Sequence, residues 1–294
     1  MKQKVDKNLP NFINQFIKSK IVENISKNTR LAYESDLYLF CKWLKEYKKV
    51  DEVTVDLFQT LTREDTIEWR LSLTNEATTV SRMVSSLKAL LRYLNRDDLA
   101  DEIKKPHIRE KVELTLDLET AQKITNKVRK IGNEYEQAIV TLLFNTGMRA
   151  EEVCNLDLDN IQGDEIIVRD AKGGKDRIII ATDIVLEAIN KWLIVRPKTS
   201  SKAVFVISQF KSKEPYRTTY TSIRNIIKKY GKLIKKGELH VHSCRHTFAT
   251  LQLDEGTPIR TLQKMLGHSS EKTTNRYAKT TTKQLRIAAN RISI

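Results

Sequence analysis

Tyr277 lies near the C-terminus, in the segment LGHSSEKTTNRY, nine positions after His268. A tyrosine hydroxyl has a pKa near ~10 and is a poor nucleophile at neutral pH, so it reacts only where cations stabilise its phenolate. The segment alone leaves two interpretations open, an ordinary packed aromatic and a nucleophile. The rest of the chain must supply the groups that would decide between them.

Three of the five histidines fall in the segment LHVHSCRHTFAT, as His240, His242 and His246. The spacing of His242 and His246 matches the two histidines of a HExxH zinc peptidase. That class needs a glutamate directly after the first histidine to activate water, and this position holds Ser243. Arg245 would also place a fixed positive charge beside any cation. We therefore expect no metal site here, and zinc content after chelation would test this.

A phosphate site is a more economical interpretation of the same segment. His242 and Arg245 are three apart on a predicted helix, so an imidazole and a guanidinium share one face and suit an oxyanion. Arg149 follows a glycine turn at a predicted helix start, where backbone N–H groups also favour an anion. Lys172 lies in a predicted hairpin. Each residue alone has an ordinary structural explanation, so only their combination supports a function.

Composition favours a folded protein with a polyanionic partner, and nucleic acid is the leading candidate. The chain has 294 residues, 40% of them hydrophobic, a formal charge of +15 and a pI near 9.6. Such a charge favours a polyanionic partner, because Lys and Arg that neutralise phosphates release condensed counterions. The sequence has neither a long apolar run nor a signal peptide pattern, which predicts a cytoplasmic protein with no membrane partner. An odd number of distant cysteines predicts free or buried thiols and no disulfide.

The first hundred residues predict a bundle of helices. Apolar residues recur at helical spacing, Thr29 is predicted to cap the second helix, and Thr62 with Asp65 resembles a capping box. Thr78 or Thr79 is predicted to start the last long helix. Its basic residues Arg82, Lys88, Arg92 and Arg96 either contact DNA or form a solvated face. The following stretch DDLADEIKKPHIREKVEL has no periodicity and predicts an interdomain linker.

The second half of the sequence predicts both helices and β-strands. A helix over 134–145 ends at Gly147, and Arg149 starts another. Two β-branched runs around Gly173-Gly174 predict a hairpin. Further helices are predicted over 183–193, 219–233 and 243–254, and Thr257-Pro258 is predicted to start a helix that ends at Leu266-Gly267.

The order of these motifs resembles the tyrosine recombinase, or phage integrase, family. TGMRAEEVCNL, AKGGKDR, HVHSCRHTFAT and LGHSSEKTTNRYAK follow one another across the second half. The first half, with NTRLAYESDLYLFCKWL and TTVSRMVSSLKALLRYL, resembles the core-binding domain of that family more loosely. Within the family, the Xer recombinases are the most similar in length and domain content, and small transposon or plasmid resolvases share those traits. The resemblance leaves open whether the biological event is dimer resolution, integration or excision.

The resemblance implies a fold, a domain division and a site. The fold is mainly α with a small β-sheet: a helical core-binding domain at 1–105, a linker at 106–114, and a mixed α/β catalytic domain at 115–294 with a tail at 278–294. Glu152 is the implied acid that supports the first catalytic arginine, and Lys175 is the alternative to Lys172. Ala171 and Met148 depart from the usual family residues, but neither removes a reacting group. The implied catalytic residues are Arg149, Lys172, His242, Arg245, His268 and Tyr277.

The implied activity is cleavage and rejoining of double-stranded DNA through a 3′-phosphotyrosine. Two arginines and His268 would neutralise the transition state, so the resemblance implies neither a metal nor another cofactor, and the chain has no ATP-binding GxxxxGK[ST] loop. The partners implied are duplex DNA and further copies that form a tetramer on two sites, and the need for a second recombinase or accessory protein stays open. The alternatives are a type IB topoisomerase, which would relax a plasmid lacking any target site, and a DNA-binding protein without catalysis.

Overall fold

The chain divides into two compact units, Met1–Lys111 and Val112–Ile294. The structure is a computed structural model and describes residues 9–108, 114–169, 176–208, 214–237 and 239–267. Lys172, Lys175, His268, Tyr277 and the C-terminal tail lie outside the described residues. Each unit has a hydrophobic core of its own.

The first unit is helical. Its helices are α1 Asn11–Val22, α2 Lys27–Lys48, α3 Val55–Gln59, α4 Arg63–Ser72, α5 Ala77–Tyr93 and α6 Asp97–Glu102. Aromatic side chains fill much of the core, where the rings of Phe40 and Trp69 meet edge to face at 5.1 Å. Buried Asp36 on α2 accepts hydrogen bonds from Arg82 and Ser86 on α5, which ties these two helices together.

Two of the three predicted helix starts in this unit were wrong. The hydroxyl of Ser26 accepts a hydrogen bond from the N–H of Thr29, so α2 begins at Lys27 and Thr29 lies within its first turn. Helix α5 begins at Ala77 after Glu76, before either predicted threonine. The capping box of Thr62 and Asp65 at the start of α4 is confirmed. For α2 both Ser26 and Thr29 are suitable caps by residue type, whereas α5 begins without a side-chain cap, so in neither case did residue type alone give the start.

The basic residues of α5, and Arg96 directly before α6, have partners inside the unit. Arg82 pairs with Asp36, Lys88 donates to the carbonyl of Ile103, and Arg92 pairs with Asp101. Arg96 donates to three backbone carbonyls in the segment 58–61 and pairs with Asp98. These side chains therefore join α5 to neighbouring segments, a role that neither sequence interpretation had anticipated.

The predicted linker stretch begins with a helix. Residues 97–102 form α6, and its Leu99 and Ala100 are buried against the core, whereas 103–108 have no regular secondary structure. The prediction that this whole stretch is an interdomain linker was wrong for residues 97–102, which belong to the first unit. Two adjacent apolar residues in a six-residue helix are too few for periodicity, so packing against α5 determines this element.

The second unit combines helices with two small antiparallel sheets, and the predicted mainly α fold is confirmed. The first sheet has the order β1-β2-β3, and β4 pairs with β5. The strands are β1 Ile161–Gln162, β2 Glu165–Val168, β3 Arg177–Ile180, β4 Val206–Ile207 and β5 Tyr216–Arg217. The helices are α7 Leu118–Ile131, α8 Glu134–Thr146, α9 Ala150–Asn155, α10 Asp183–Val195, α11 Tyr220–Leu233, α12 Val241–Asp254 and α13 Ile259–Leu266, with a 3₁₀ turn at Leu158–Asn160.

Helix α8 forms the centre of this unit and packs against α7, α10 and α12.

Helix α12 starts two residues earlier than predicted, so His242 lies in its first turn. Thr257 does not cap α13 as predicted, because its hydroxyl donates to the side chain of Gln252 and Pro258 takes the cap position. Strands β2 and β3 pair with Val168 opposite Arg177, so the strands of the predicted hairpin are confirmed.

The three cysteines are free and buried, as predicted. Burial raises the pKa of Cys41 to about 12, and burial together with the charge of Glu151 raises the pKa of Cys154 to about 11. Thiols held neutral in this way react slowly. Within the described ranges, the structure contains no helix long and apolar enough to cross a bilayer.

Candidate active site

Three of the six predicted catalytic residues meet in one pocket. Arg149, His242 and Arg245 line a cavity of about 150 Å³ in the second unit, although Arg149 precedes the other two by more than ninety positions. The pocket is completed by Met148, Ala150, Glu151, Tyr220 and Val241. Two guanidiniums and an imidazole therefore line a space that could hold a phosphate group.

A tight glycine turn brings Arg149 to this pocket. Helix α8 ends at Thr146, and Gly147 has a φ of +63°, which a residue with a side chain rarely adopts. A Cβ atom at Gly147 would also lie 2.5 Å from Cδ1 of Phe248. The turn therefore requires glycine both for its backbone conformation and for the space that a side chain would fill. It places Arg149 at the position directly before α9.

Glu152 holds Arg149 in place. Its Oε2 accepts a hydrogen bond from the backbone N–H of Arg149 at 2.7 Å, and its Oε1 accepts one from the Arg149 guanidinium at 2.7 Å. The Arg149 side chain remains 38% exposed, so it has room to contact a ligand in the pocket. This is the supporting role that the family resemblance had implied for Glu152.

Arg177 on β3 is a second partner of Glu152. Its NH1 and NH2 donate to the two carboxylate oxygens at 2.9 and 2.7 Å. Burial acts to raise the pKa of Glu152, but the hydrogen bonds and charge of Arg177, together with those of Arg149, outweigh burial and lower the pKa. Glu152 is thus held as a carboxylate between two guanidiniums.

Arg245 connects two helix ends beneath the pocket. Its side chain is almost fully buried, and it donates to the carbonyl of Gly147 at 2.8 Å and to the carbonyl of Leu266 at 2.7 Å. Both carbonyls lie at C-terminal ends of helices, where backbone acceptors lack intrahelical partners. Arg245 therefore fixes the turn that leads to Arg149 and also the end of α13, directly before the segment that contains His268.

His242 approaches the pocket from the start of α12. The first turn of a helix presents free N–H groups and the positive end of the helix dipole, which adds to the attraction for an anion. His240 lies one residue before the helix, and its Nδ1 is 3.1 Å from the hydroxyl of Ser243. Of the clustered histidines, His242 is the one that lines the pocket.

The other predicted catalytic residues lie in segments that directly adjoin described elements along the chain. Lys172 and Lys175 lie in the segment that joins the paired strands β2 and β3, and His268 directly follows Gly267 at the end of α13. Gly267 has a φ of +65°, as predicted for a helix that stops there. Tyr277 lies ten residues beyond this turn. All four lie outside the described residues, so their placement stays a prediction.

Sequence reasoning missed Arg177 and Tyr220 as residues of this region. Arg177 was visible only as the last letter of AKGGKDR, and its bond to Glu152 joins residues 25 positions apart. Tyr220 starts α11 and lines the pocket, yet no motif marked it. The sequence contains no local signal for either contact, because both depend on how strand and helix pack.

The comparisons with known proteins agree with this geometry. Residues 115–284 match the phage integrase family, and residues 13–98 match the phage integrase N-terminal SAM-like domain. The chain is 32% identical to tyrosine recombinase XerC of Caldanaerobacter subterraneus subsp. tengcongensis over 96% of this chain and 86% of the relative. The chain belongs to the phage integrase family. It is therefore a tyrosine recombinase, a DNA strand-exchange enzyme of a family that needs neither metal nor ATP.

Other relatives place this recombinase among the Xer-like enzymes. It is 33% identical to tyrosine recombinase XerA of Pyrococcus horikoshii, over 72% of this chain and 73% of the relative. Among solved structures, XerH site-specific recombinase bound to a palindromic difH substrate matches with a TM-score of 0.70 at 19% identity, covering 95% of this chain and 84% of XerH. The Tn1549 transposon integrase bound to circular intermediate DNA matches with a TM-score of 0.68 at 20% identity, covering 94% and 98%. At these identities the two structures support the fold alone.

Proposed function

We propose that this recombinase cuts duplex DNA at specific sites by attack of Tyr277 on a backbone phosphate, with Arg149 and Arg245 as its phosphate ligands. The observation that carries this proposal is the pocket in which the two arginines and His242 converge. In the proposed step the tyrosine oxygen bonds to phosphorus and the bond from phosphorus to the 5′-oxygen breaks. A free 5′-hydroxyl then attacks the 3′-phosphotyrosine, which restores a phosphodiester and releases the tyrosine.

The remaining roles follow from the chemistry of that step. Negative charge builds up on the non-bridging oxygens, and fixed cations aimed at this charge stabilise the transition state. His268 would add a third donor beside the two arginines. The tyrosine must lose a proton and the 5′-oxygen must gain one, so His242 would handle the first proton and Lys172 the second.

The proposed substrate is double-stranded DNA, bound by both units. The net charge of +15 suits a polyanion, and XerH and the Tn1549 integrase were both solved with DNA. We assign residues 1–105 to a DNA-contacting core-binding domain, 106–114 to a linker and 115–294 to the catalytic domain. An enzyme that acts on chromosomal or plasmid DNA in a bacterium or archaeon would work in the cytoplasm.

The proposal is tested by trapping the covalent complex on genomic DNA. The recombinase is expressed in cells whose genome carries the target, lysed in SDS and captured, and the attached DNA ends are sequenced. Ends that converge on one short sequence, linked to protein through a 3′-phosphate, support a site-specific recombinase. Ends scattered over the genome would favour a topoisomerase, and absence of any attached DNA would favour a protein that binds without cutting. The recovered sequence also supplies the substrate for the experiments below.

Lys172→Ala should slow cleavage of ordinary DNA but should spare a substrate whose bridging 5′-oxygen is replaced by sulfur. A thiolate is a far better leaving group than an alkoxide and needs no proton, so the general acid becomes dispensable. The measurement is the single-turnover rate of covalent complex formation on the two substrates, with Lys175→Ala as the matched control. If Lys172→Ala slows cleavage of both substrates equally, Lys172 is not the general acid. If Lys175→Ala slows cleavage of ordinary DNA but not of the sulfur substrate, Lys175 is the general acid.

We further propose that four protomers act on two sites and that the tail 278–294 links one protomer to the next. Leu285, Ala288, Ala289 and Ile292 recur at helical spacing and would form a small apolar stripe that suits a groove on a neighbour. Packing of the tail on its own domain is the alternative.

Truncation after Lys283 should leave a folded enzyme that binds one half-site nearly normally, yet loses cooperative binding to a full site and loses strand exchange. Half-site and full-site affinities are measured by gel-shift titration, and folding is measured by thermal melting. Unchanged cooperativity would contradict docking on a neighbour. Loss of folded protein would instead support packing of the tail on its own domain.

A further inference from the structure

Arg177 lies at the centre of a network that connects three elements of the catalytic unit. It starts strand β3, contacts Glu152 at the start of α9, and reaches the end of α13. We infer that Arg177 is a positioning residue that orients Glu152, so that Glu152 in turn fixes Arg149 in the phosphate pocket. This inference rests on the proposed function, because it assumes that Arg149 binds the reacting phosphate.

The geometry at Glu152 supports a role in orientation. Each carboxylate oxygen accepts one hydrogen bond from Arg149 and one from Arg177. The contact with Arg177 is bidentate, and a planar guanidinium that binds both oxygens defines the plane of the carboxylate. Arg149 also contacts both oxygens, but only one of these bonds comes from its guanidinium and the other comes from its backbone N–H. Without Arg177, a single bond to Glu152 would set the direction of the Arg149 guanidinium.

Arg177 is itself anchored away from the pocket. Its Nε donates to the carbonyl of Met265 at 3.0 Å, and its side chain is only 11% exposed. A Cβ at Gly267 would lie 2.9 Å from Cδ of Arg177 and 3.0 Å from its NH1, so the glycine leaves the space that this side chain occupies. All three guanidinium nitrogens therefore donate to protein acceptors, and Arg177 does not line the pocket. It acts through Glu152 and is not a phosphate ligand.

Charge gives the network a second effect on Arg149. An isolated pair of Arg149 and Glu152 would have no net charge, which would weaken the attraction of Arg149 for a phosphate. The second guanidinium makes the group of three positive by one unit. In a partly buried site this difference is poorly screened and lowers the energy of a bound anion. Arg177 thus lets Glu152 hold Arg149 without cancelling its charge.

The test compares Arg177→Met with Arg217→Met in the full chain. Arg217 belongs to the same unit and also donates to a carboxylate and a carbonyl, those of Asp157 and Cys154, but it does not line the pocket. We expect Arg177→Met to slow single-turnover cleavage by about 10- to 100-fold, the range seen at metal sites when a residue that orients a ligand is removed. Arg217→Met should cleave within about threefold of the wild-type rate at 25 °C, with half-site affinity measured for both. Equal slowing by the two substitutions, or a normal rate for Arg177→Met, would overturn the inference.

Two further measurements separate orientation from general destabilisation. If Arg177 acts through Glu152, the double variant Arg177→Met/Glu152→Gln should cleave about as slowly as Glu152→Gln alone, whereas multiplied losses would contradict this. Arg177 helps to lower the pKa of Glu152 and burial opposes it, so removing Arg177 should raise that pKa. Cleavage by Arg177→Met should then fall off at a higher pH on the acid side than cleavage by the wild type. An acid limb that does not move would overturn the inference.

The outcomes also distinguish this inference from the proposed function. If the wild type is trapped covalently on no genomic site, the proposed function fails. If the wild type forms the complex and Arg177→Met forms it equally fast, only the role of Arg177 fails.

Discussion

Tyr277→Phe should abolish the covalent protein–DNA complex while DNA binding stays within about twofold of the wild type. The substitution removes one hydroxyl and retains the ring, so packing and charge are nearly unchanged while the proposed nucleophile is lost. The measurement uses a nicked suicide substrate that carries the sequence recovered from genomic DNA. Cleavage on such a substrate releases a short strand and traps the covalent complex as a band that resists SDS.

The control for this experiment is another tyrosine of the same unit. Tyr220 lines the pocket, so Tyr220→Phe removes a hydroxyl from a pocket residue without removing the proposed nucleophile. It should still form the SDS-resistant band. A band from Tyr277→Phe would contradict the assignment, and loss of the band from Tyr220→Phe alone would transfer the role of nucleophile to Tyr220.

Arg245→Met should reduce cleavage by roughly 10²- to 10³-fold, the cost of removing one preorganised donor to transition-state charge. The same substitution should lower the free energy of unfolding by several kcal/mol. The carbonyls of Gly147 and Leu266 would lose their buried donor, and a buried polar group left without a partner costs ~1–3 kcal/mol. Cleavage is measured in single turnover at a temperature where the variant is folded, and stability is measured by urea titration.

Arg196→Met separates these two effects. Arg196 is half-buried, donates to the carbonyls of Ser201, Ala203 and Val204, and does not line the pocket. It should lose stability as Arg245→Met does but should cleave at nearly the wild-type rate per folded molecule. Normal cleavage by folded Arg245→Met would show that Arg245 supports the fold alone. Equal loss of cleavage by both variants would attribute the effect to stability.

Stable local features of the catalytic unit could be predicted from short stretches of sequence. The end of α8 at Gly147 and the end of α13 at Gly267 were predicted because a helix that stops in a left-handed turn strongly favours glycine. The strands β2 and β3 were predicted because β-branched residues on both sides of a Gly-Gly pair favour a hairpin. In each case the preference for the structure comes from the backbone conformations that a few consecutive residues can adopt.

Helix starts were predicted less well. Ser26 and Thr29 are both good N-cap residues, so local propensity hardly separates them. Propensity favours Thr78 over Glu76, yet α5 begins after Glu76 without a side-chain cap. Helix α6 was missed for a related reason, since burial of Leu99 and Ala100 against α5 stabilises it and its own six residues show no period. Packing energy determined these boundaries, and packing energy is not a property of a short segment.

For the site, the motifs alone identify the available groups: Arg149 after its glycine turn, His242 and Arg245 on one helix, and the family order that leads to Tyr277. That the first three share a pocket, and that Arg177 contacts Glu152 from 25 positions away, follows only from the packing of the folded unit. The bond from Arg177 to the carbonyl of Met265 joins residues 88 positions apart. Motif spacing shows which residues are neighbours along one helix or strand. Contacts between residues so far apart in sequence form only when the core around α8 packs and brings separate elements together.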